Sequence, residues 1–369
     1  MLLTDFINKE ISKNILIGFI VILFIINIIH LSVFIIVRIY VETKNKILKT
    51  LEENYLNLIV NSFYNQGGKN LEIKIASNLQ AEAFSNVLIS LLENLSGDMT
   101  NFVLHLAQSS GIIEFYKKKT FSKNWLTRLD AFERLEYFPF SELLDFYLEA
   151  LKREKNSYIK MQILINLSHL GNINKFQDMI DELNKLKNIS NKFFEYFFYN
   201  IISTLHTDKE KLTFLKKAEN MLSNEAIDIS IKKAFIEACG KAHFYQSKDL
   251  ILKIFYSIND PIFKAICIRS LGNMGLPEVC ELIEKSYRSS EWILRLNSAN
   301  YAYLCENGLE ILKTTIQDLN FHVRRASALA IKKLYEHNYK GVLDFIKELK
   351  DQYAKEILLS SLRRTEVNL

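Results

Sequence analysis

The stretch Ile15–Val37 holds no Asp, Glu, Lys or Arg, and no other part of the chain restricts folding so tightly. As a helix it spans roughly 35 Å, enough to cross a hydrocarbon core of about 30 Å. A cleaved leader would have a shorter apolar core and a small-residue exit. Here the core ends Phe34-Ile35-Ile36-Val37-Arg38, so it is expected to stay in the mature protein as a membrane anchor. Lys9 and Lys13 precede it, offset by Asp5 and Glu10, whereas Arg38, Lys44, Lys46 and Lys49 follow. The side richer in Lys and Arg tends to remain cytoplasmic, which puts the bulk of the chain at the cytoplasmic face of the membrane. Asn27 and His30 share one helical face within the span. Either they are neutral polar residues tolerated at modest cost, or they form a docking face for another membrane helix.

Beyond the anchor the sequence reads as all-α. The 369 residues hold only 3 prolines and 11 glycines, too few turn residues for a many-stranded β fold. The expected order is a short segment 1–14, the span 15–37, a juxtamembrane helix over 38–66 and a helical cap over 70–123, followed by repeats from 124 to the end. In the juxtamembrane part Ile47, Leu48, Leu51, Tyr55 and Leu58 recur at helical spacing until Gly67-Gly68 breaks the run. Helices are expected over 80–95 and, with Asp98 as N-cap, from 98 to 116.

From Asn124 onward a pattern recurs. An Asn, Asp or Glu stands four residues ahead of a Lys or Arg: Asn124 with Arg128, Asn156 with Lys160, Asp228 with Lys232, Asp260 with Lys264, Glu291 with Arg295, Asn320 with Arg324. Asn191 with Glu195 fills the gap and lacks the base. Asn124, Asn156, Asn191, Asp228, Asp260 and Asn320 are expected to be N-caps, accepting a hydrogen bond from a first-turn amide. Pro261, at a first helical position, strengthens this for its unit. The residue before each base (Thr127, Ile159, Ile231, Phe263, Leu294, Val323) should face inward. Leu135, Leu167, Cys239, Leu271 and Ile331, seven residues after the base, should close the same face. Gly171, Gly272, Gly275 and Gly308 are expected to end first helices. Second helices are expected over 141–152, 176–187, 211–222, 248–256, 277–287, 308–317 and 341–350. Paired helices that bury one face only against their neighbours make a solenoid, here of about seven units.

In this ladder, and most closely in Phe321-His322-Val323-Arg324-Arg325-Ala326-Ser327-Ala328-Leu329, the chain resembles the HEAT-repeat family. It departs in its short period, its few alanines and Glu195. Leu95-Ser96-Gly97-Asp98, Gly111-Ile112, Lys117 to Lys119 and Trp125 look like a group of bacterial single-span HEAT proteins often found beside membrane glycosyltransferases that build exopolysaccharide. The resemblance implies a scaffold with such an enzyme as protein partner. HEAT-like folds also occur in bilin lyases and alkylpurine DNA glycosylases, which keeps an enzyme as the alternative, together with a sensor of a soluble signalling protein.

The residues themselves offer little chemistry. The seven histidines are scattered, with no zinc spacing, phosphate loop or nucleophile elbow. No catalytic residue, metal ligand or cofactor is assigned. The charge of +5, with 42 acids among 47 bases, gives no field of the kind that steers a protein onto nucleic acid. Cys239, Cys267, Cys280 and Cys305 stand among apolar residues without a CxxC pair, and the first expectation is buried free thiols in a reducing compartment, with disulfides or metal ligation as the other outcomes.

Three features are candidate contacts. Phe193, Phe194, Tyr196, Phe197, Phe198 and Tyr199 put rings all round one helix, as core between neighbours or as a partner-binding patch. Lys117, Lys118 and Lys119 either touch anionic headgroups of membrane lipid or form a solvated helix end. Arg324, Arg325, Lys332 and Lys333 form a basic edge, read as solvated.

Overall fold

The computed structural model describes residues 2–66, 71, 73–335 and 339–363, excepting the side chains of 2–17, 65, 66, 339, 340, 342, 362 and 363. The expected break at Gly67-Gly68 lies outside the described residues. Within them the chain is all-α and no strand is present. It divides into two compact units, Met1–Phe138 and Pro139–Leu369.

Unit 1 is built on one long helix, α1 (Leu2–Gln66), whose length reflects the absence of Pro and a single early Gly. Every side chain from Gly18 to Thr43 is exposed. From Lys44 onward one stripe is covered, through Leu48, Leu51, Tyr55, Ile59 and Ser62, the three-and-four spacing of a helix face. Ile47 and Leu58 fall off that stripe and remain exposed. The covering element is α2 (Asn78–Asn94), capped by Ser77. Phe84 of α2 meets Tyr55 edge to face at 5.3 Å. Three more helices follow: α3 (Asp98–Ser109), α4 (Ile112–Lys119) and α5 (Trp125–Glu136). The expected single helix over 98–116 is therefore split, because Gly111 sits at φ +77°, a left-handed conformation that ends one helix and redirects the next. Asp98 is the first residue of α3, and the cap position belongs to Gly97.

Unit 2 alternates two kinds of helix. The odd ones are α7 (Ser157–Leu170), α9 (Asn191–Ser203), α11 (Ile229–Lys241), α13 (Pro261–Asn273), α15 (Trp292–Tyr301), α17 (Phe321–Leu334) and α19 (Gln352–Arg363). Each packs laterally on the next. The even ones are α6 (Leu143–Arg153), α8 (Phe176–Lys185), α10 (Asp208–Ser223), α12 (Lys248–Ser257), α14 (Val279–Ser286), α16 (Gly308–Thr315) and α18 (Tyr339–Glu348). Within the pairs α6 packs on α7, α12 on α13, α14 on α15 and α16 on α17.

Between the two rows lies a phenylalanine core. Phe176 and Phe214 meet at 5.1 Å, Phe198 and Phe235 at 5.4 Å, and Phe214 and Phe235 at 5.9 Å. All four are fully buried, each stabilising the fold by about 1.5–3 kcal/mol. Of the inward positions expected from the ladder, Ile159, Ile231, Phe263, Leu294, Val323, Leu135, Leu167, Cys239, Leu271 and Ile331 are buried, whereas Thr127, in the first repeat, is only half-buried.

Several local expectations are corrected. Asn191 is the first residue of α9, and its cap is Ser190, whose hydroxyl accepts from the Lys192 amide. One serine earlier supplies the same oxygen, so the ladder shifts by a residue there. Gly171, at φ +60°, does cap α7, and Gly275 has φ +68° beyond α13. Gly272 instead lies inside α13, and Gly308 opens α16 rather than closing α15. The cysteines also divide. Cys280 of α14 and Cys305, after a short turn, are joined in a disulfide with Cα atoms 5.5 Å apart. The fold brings together two thiols that sequence spacing does not pair. Cys239 and Cys267 are free and buried, and burial pushes the Cys239 thiol up to about 12.

At Gly240 the lateral stack brings a helix against its neighbour's backbone. A Cβ there would sit 2.6 Å from Ser270 Cα, and Ser270 reaches across to donate to the Ile236 carbonyl at 2.7 Å. Gly240→Val is expected to destabilise unit 2 by about 2–3 kcal/mol, overpacking outweighing the roughly 0.5 kcal/mol gained in helix propensity. Thermal unfolding checks this, and an unchanged midpoint would contradict the close packing.

Candidate interaction surfaces

Most of the charged residues that mark the repeats are held in the fold. Asn124, Asn156, Asp228, Asp260 and Asn320 each accept from first-turn amides. The bases four residues later have distinct tasks. Arg128 donates to the carbonyls of Ser122 and Lys123, and Arg295 to those of Ser289 and Ser290, at 2.7–3.2 Å. Arg324 reaches the Asp318 carbonyl. These arginines clamp the turn that leads into their own helix. Lys160 instead pairs with Glu182 at 3.0 Å.

Other pairs join successive odd helices. Lys233 of α11 meets the cap Asp260 at 2.5 Å, Arg269 of α13 meets Glu237 at 3.0 Å, and Lys241 of α11 meets Glu195 of α9. Glu195, standing where the ladder has a base, therefore serves the neighbouring repeat. Tyr301 donates to Asn273 at 2.6 Å.

Asp318 is a heavily engaged carboxylate. It receives Arg295 through two bonds of 2.6 and 3.0 Å and the Asn320 amide at 2.8 Å. Burial pushes its carboxyl up, but the Arg295 guanidinium and the Asn320 amide outweigh that and hold it below the ordinary carboxylate range. The unfolded chain takes up this proton more readily than the folded one. The stabilisation is therefore complete above about pH 4 and is lost as pH falls through the lower folded value. Asp318→Asn is expected to cost about 2–3 kcal/mol at neutral pH and progressively less as pH falls through the folded value, where protonation breaks the pair in the parent chain. Urea midpoints of the two proteins measured over a pH series from neutral downward test it, and a difference that does not shrink on acidification would contradict it.

With those groups occupied, few surfaces stand free for a partner. The aromatic run of α9 splits by face. Phe194, Phe197 and Phe198 are buried against the neighbouring helices, so they belong to the core and not to a partner patch. Phe193 is half-buried, and Tyr196 and Tyr199 are 46% and 41% exposed. In the N-terminal helix, the Asn27 side chain donates to the Leu23 carbonyl of its own helix at 2.9 Å. His30 is exposed on the same face. In unit 1, Lys117 pairs with Glu114 at 2.7 Å, Lys119 lies over the Phe115 ring at 4.7 Å, and Lys118 is exposed. Of the basic edge, Arg324 and Lys333 lie over Tyr353 and Tyr303. Arg325 and Lys332 line a cavity of about 210 Å³ with Phe321, Leu329 and Ile357.

One surface escaped the reading of the sequence. Tyr158, Ile229, Ile262, Trp292 and Phe321 occupy the first or second position of α7, α11, α13, α15 and α17, and all five are exposed. Because α11, α13, α15 and α17 stack side by side, their first turns form one edge, with Trp292 and His322 rings 6.0 Å apart, and Tyr158 of α7 lies beyond α9, which opens with Asn191 and Lys192. A residue right after a cap carries no packing duty in the core, so a large apolar side chain there in each of these helices was the available signal. Among the described residues, no group of three His, Cys, Asp or Glu converges as for a metal ion.

No family model matches this chain, and no curated protein matches it. Among solved structures it is similar to human deoxyhypusine hydroxylase in complex with glycerol, at 10% identity over 80% of this chain and 98% of that one. The TM-score is 0.29, a likeness too weak to bear on activity.

Proposed function

We propose that the protein is a non-catalytic, membrane-anchored scaffold. In this reading α1 spans an inner membrane once, and the helical units stand at its cytoplasmic face and bind a protein partner. The observation that supports it is the exposed edge of Tyr158, Ile229, Ile262, Trp292 and Phe321, a row of apolar side chains backed by rigid helices, which suits a protein surface. The HEAT resemblance points to a membrane glycosyltransferase of exopolysaccharide synthesis as that partner. α1 is long and apolar enough to cross a membrane, with a mean hydropathy of 3.0 over its most apolar stretch. Asn27 spends one amide N–H on the Leu23 carbonyl and keeps its carbonyl oxygen, so Asn27 and His30 together form the face offered to a second membrane helix.

Affinity capture from solubilised membranes tests the scaffold. The intact chain should retain a membrane enzyme of this class, and Trp292→Ala with Ile262→Asp should lower retention by roughly thirtyfold or more, as for an interface anchor. Equal retention by the double variant would remove the edge as the docking surface.

A second reading concerns orientation. The Cys280–Cys305 disulfide favours an oxidising compartment, whereas the basic residues after the span favour the cytoplasm. Protease added to spheroplasts, combined with thiol blocking before lysis, separates the two. Protection with both thiols blockable fits the cytoplasmic orientation, and cleavage with an intact disulfide fits the opposite one.

A further inference from the structure

Unit 1 points several helix ends in one direction. Lys44 of α1 pairs with Glu82 of α2 at 2.9 Å, and Glu52 accepts from Asn86 at 2.6 Å. Both partners advance together, so α1 and α2 run parallel. Arg134 of α5 donates to Ser85 and Asn86 at 2.6 and 2.8 Å. Asp130, one turn earlier, pairs with Arg134 at 2.9 Å, and α5 begins only six residues after Lys119, whose surroundings include Lys44, Glu82 and Asp130, so the first turn of α5 lies at the Lys119 end and α5 runs parallel to α2. The N-terminal ends of α2 and α5, together with Lys119 at the end of α4, therefore lie toward the part of α1 that leads back into its apolar stretch. Lys44 stands seven residues beyond Val37, about 10 Å along a helix. α1 is unbroken over that distance, so the unit cannot swing far from whatever holds the span.

At that end Phe121, Trp125 and Leu126 are 65%, 44% and 56% exposed. Lys118 and Lys123 are exposed beside them. The nearby carboxylates are already engaged: Glu42 with Arg38, Glu82 with Lys44, Glu114 with Lys117 and Asp130 with Arg134. Tryptophan and other apolar side chains flanked by lysines have the chemistry of a bilayer interface, rings at the headgroup level and ammonium groups at the phosphates.

We propose that this end of unit 1 rests on the anionic surface of the bilayer that holds α1. Phe121, Trp125 and Leu126 enter the headgroup layer, and Lys118 and Lys123 meet lipid phosphates. The contact would fix the orientation of unit 1 over the membrane, which a single span alone leaves free to rotate. It rests on the reading of α1 as a membrane span.

The chain has two tryptophans, so Trp292→Phe leaves Trp125 as the only one. The full-length variant is reconstituted into vesicles of phosphatidylcholine with or without phosphatidylglycerol, carrying lipids brominated near the headgroup or deep in the acyl chain. The expected result is quenching of Trp125 emission, stronger with the shallow bromine and with the anionic lipid. Lys118→Gln and Lys123→Gln should each lower the ratio of contacting to detached protein roughly fivefold, as about 1 kcal/mol per base implies. Unquenched Trp125 in protein that resists carbonate extraction from the vesicles would overturn the contact while leaving the span intact. Quenching indifferent to anionic lipid and to both lysines would overturn the phosphate contacts. Extraction of the protein by carbonate would overturn the span and the contact with it.

Discussion

Lateral packing of one helix row on itself is the interaction on which unit 2 depends. A helix pair of this size buries only one face by itself and must cover the rest with its neighbours. The phenylalanine cluster from Phe176 through Phe198, Phe214 and Phe235 runs across repeats, so no single repeat owns its core. Gly240 and Ser270 let α11 and α13 approach to backbone contact, and Ser270 joins the two helices by a buried hydrogen bond.

Charge follows the same logic. Most acids and bases that mark the repeats are drawn into a cap, a turn clamp or a pair between neighbours. Asp318 holds Arg295 of one repeat and the entry to the next, and Asp260 is at once a cap and the partner of Lys233. Groups held in this way are poorly placed for recognition, which leaves apolar and aromatic side chains at the helix ends as the free chemistry. That argument applies separately to the first-turn edge of unit 2 and to Trp125 and Leu126 in unit 1.

Much of this was legible beforehand because it is local. A cap needs one side-chain oxygen at one position, so Asn124, Asn156, Asp228, Asp260 and Asn320 could be assigned from spacing. Asn191 failed because Ser190 offers the same oxygen one residue earlier, and sequence alone does not say where the helix begins. The aromatic run of α9 showed its periodicity but not its outcome. Burial of Phe194, Phe197 and Phe198 depends on which neighbours cover that face, and only Tyr196 and Tyr199 were left outside. The Cys280–Cys305 disulfide was out of reach for a similar reason, since two residues 25 apart meet only once α14 and the turn after α15 are packed.

By itself the sequence determined the helical class, the repeat period and the long apolar start, because helix propensity, capping and hydrophobic spacing act over a few residues. Tertiary structure decided which charges are occupied, which rings are covered and which helix ends share a face. Those outcomes depend on contacts between residues twenty or more positions apart, as for Arg295 with Asp318, Glu195 with Lys241 and Ser85 with Arg134, and no local pattern specifies them.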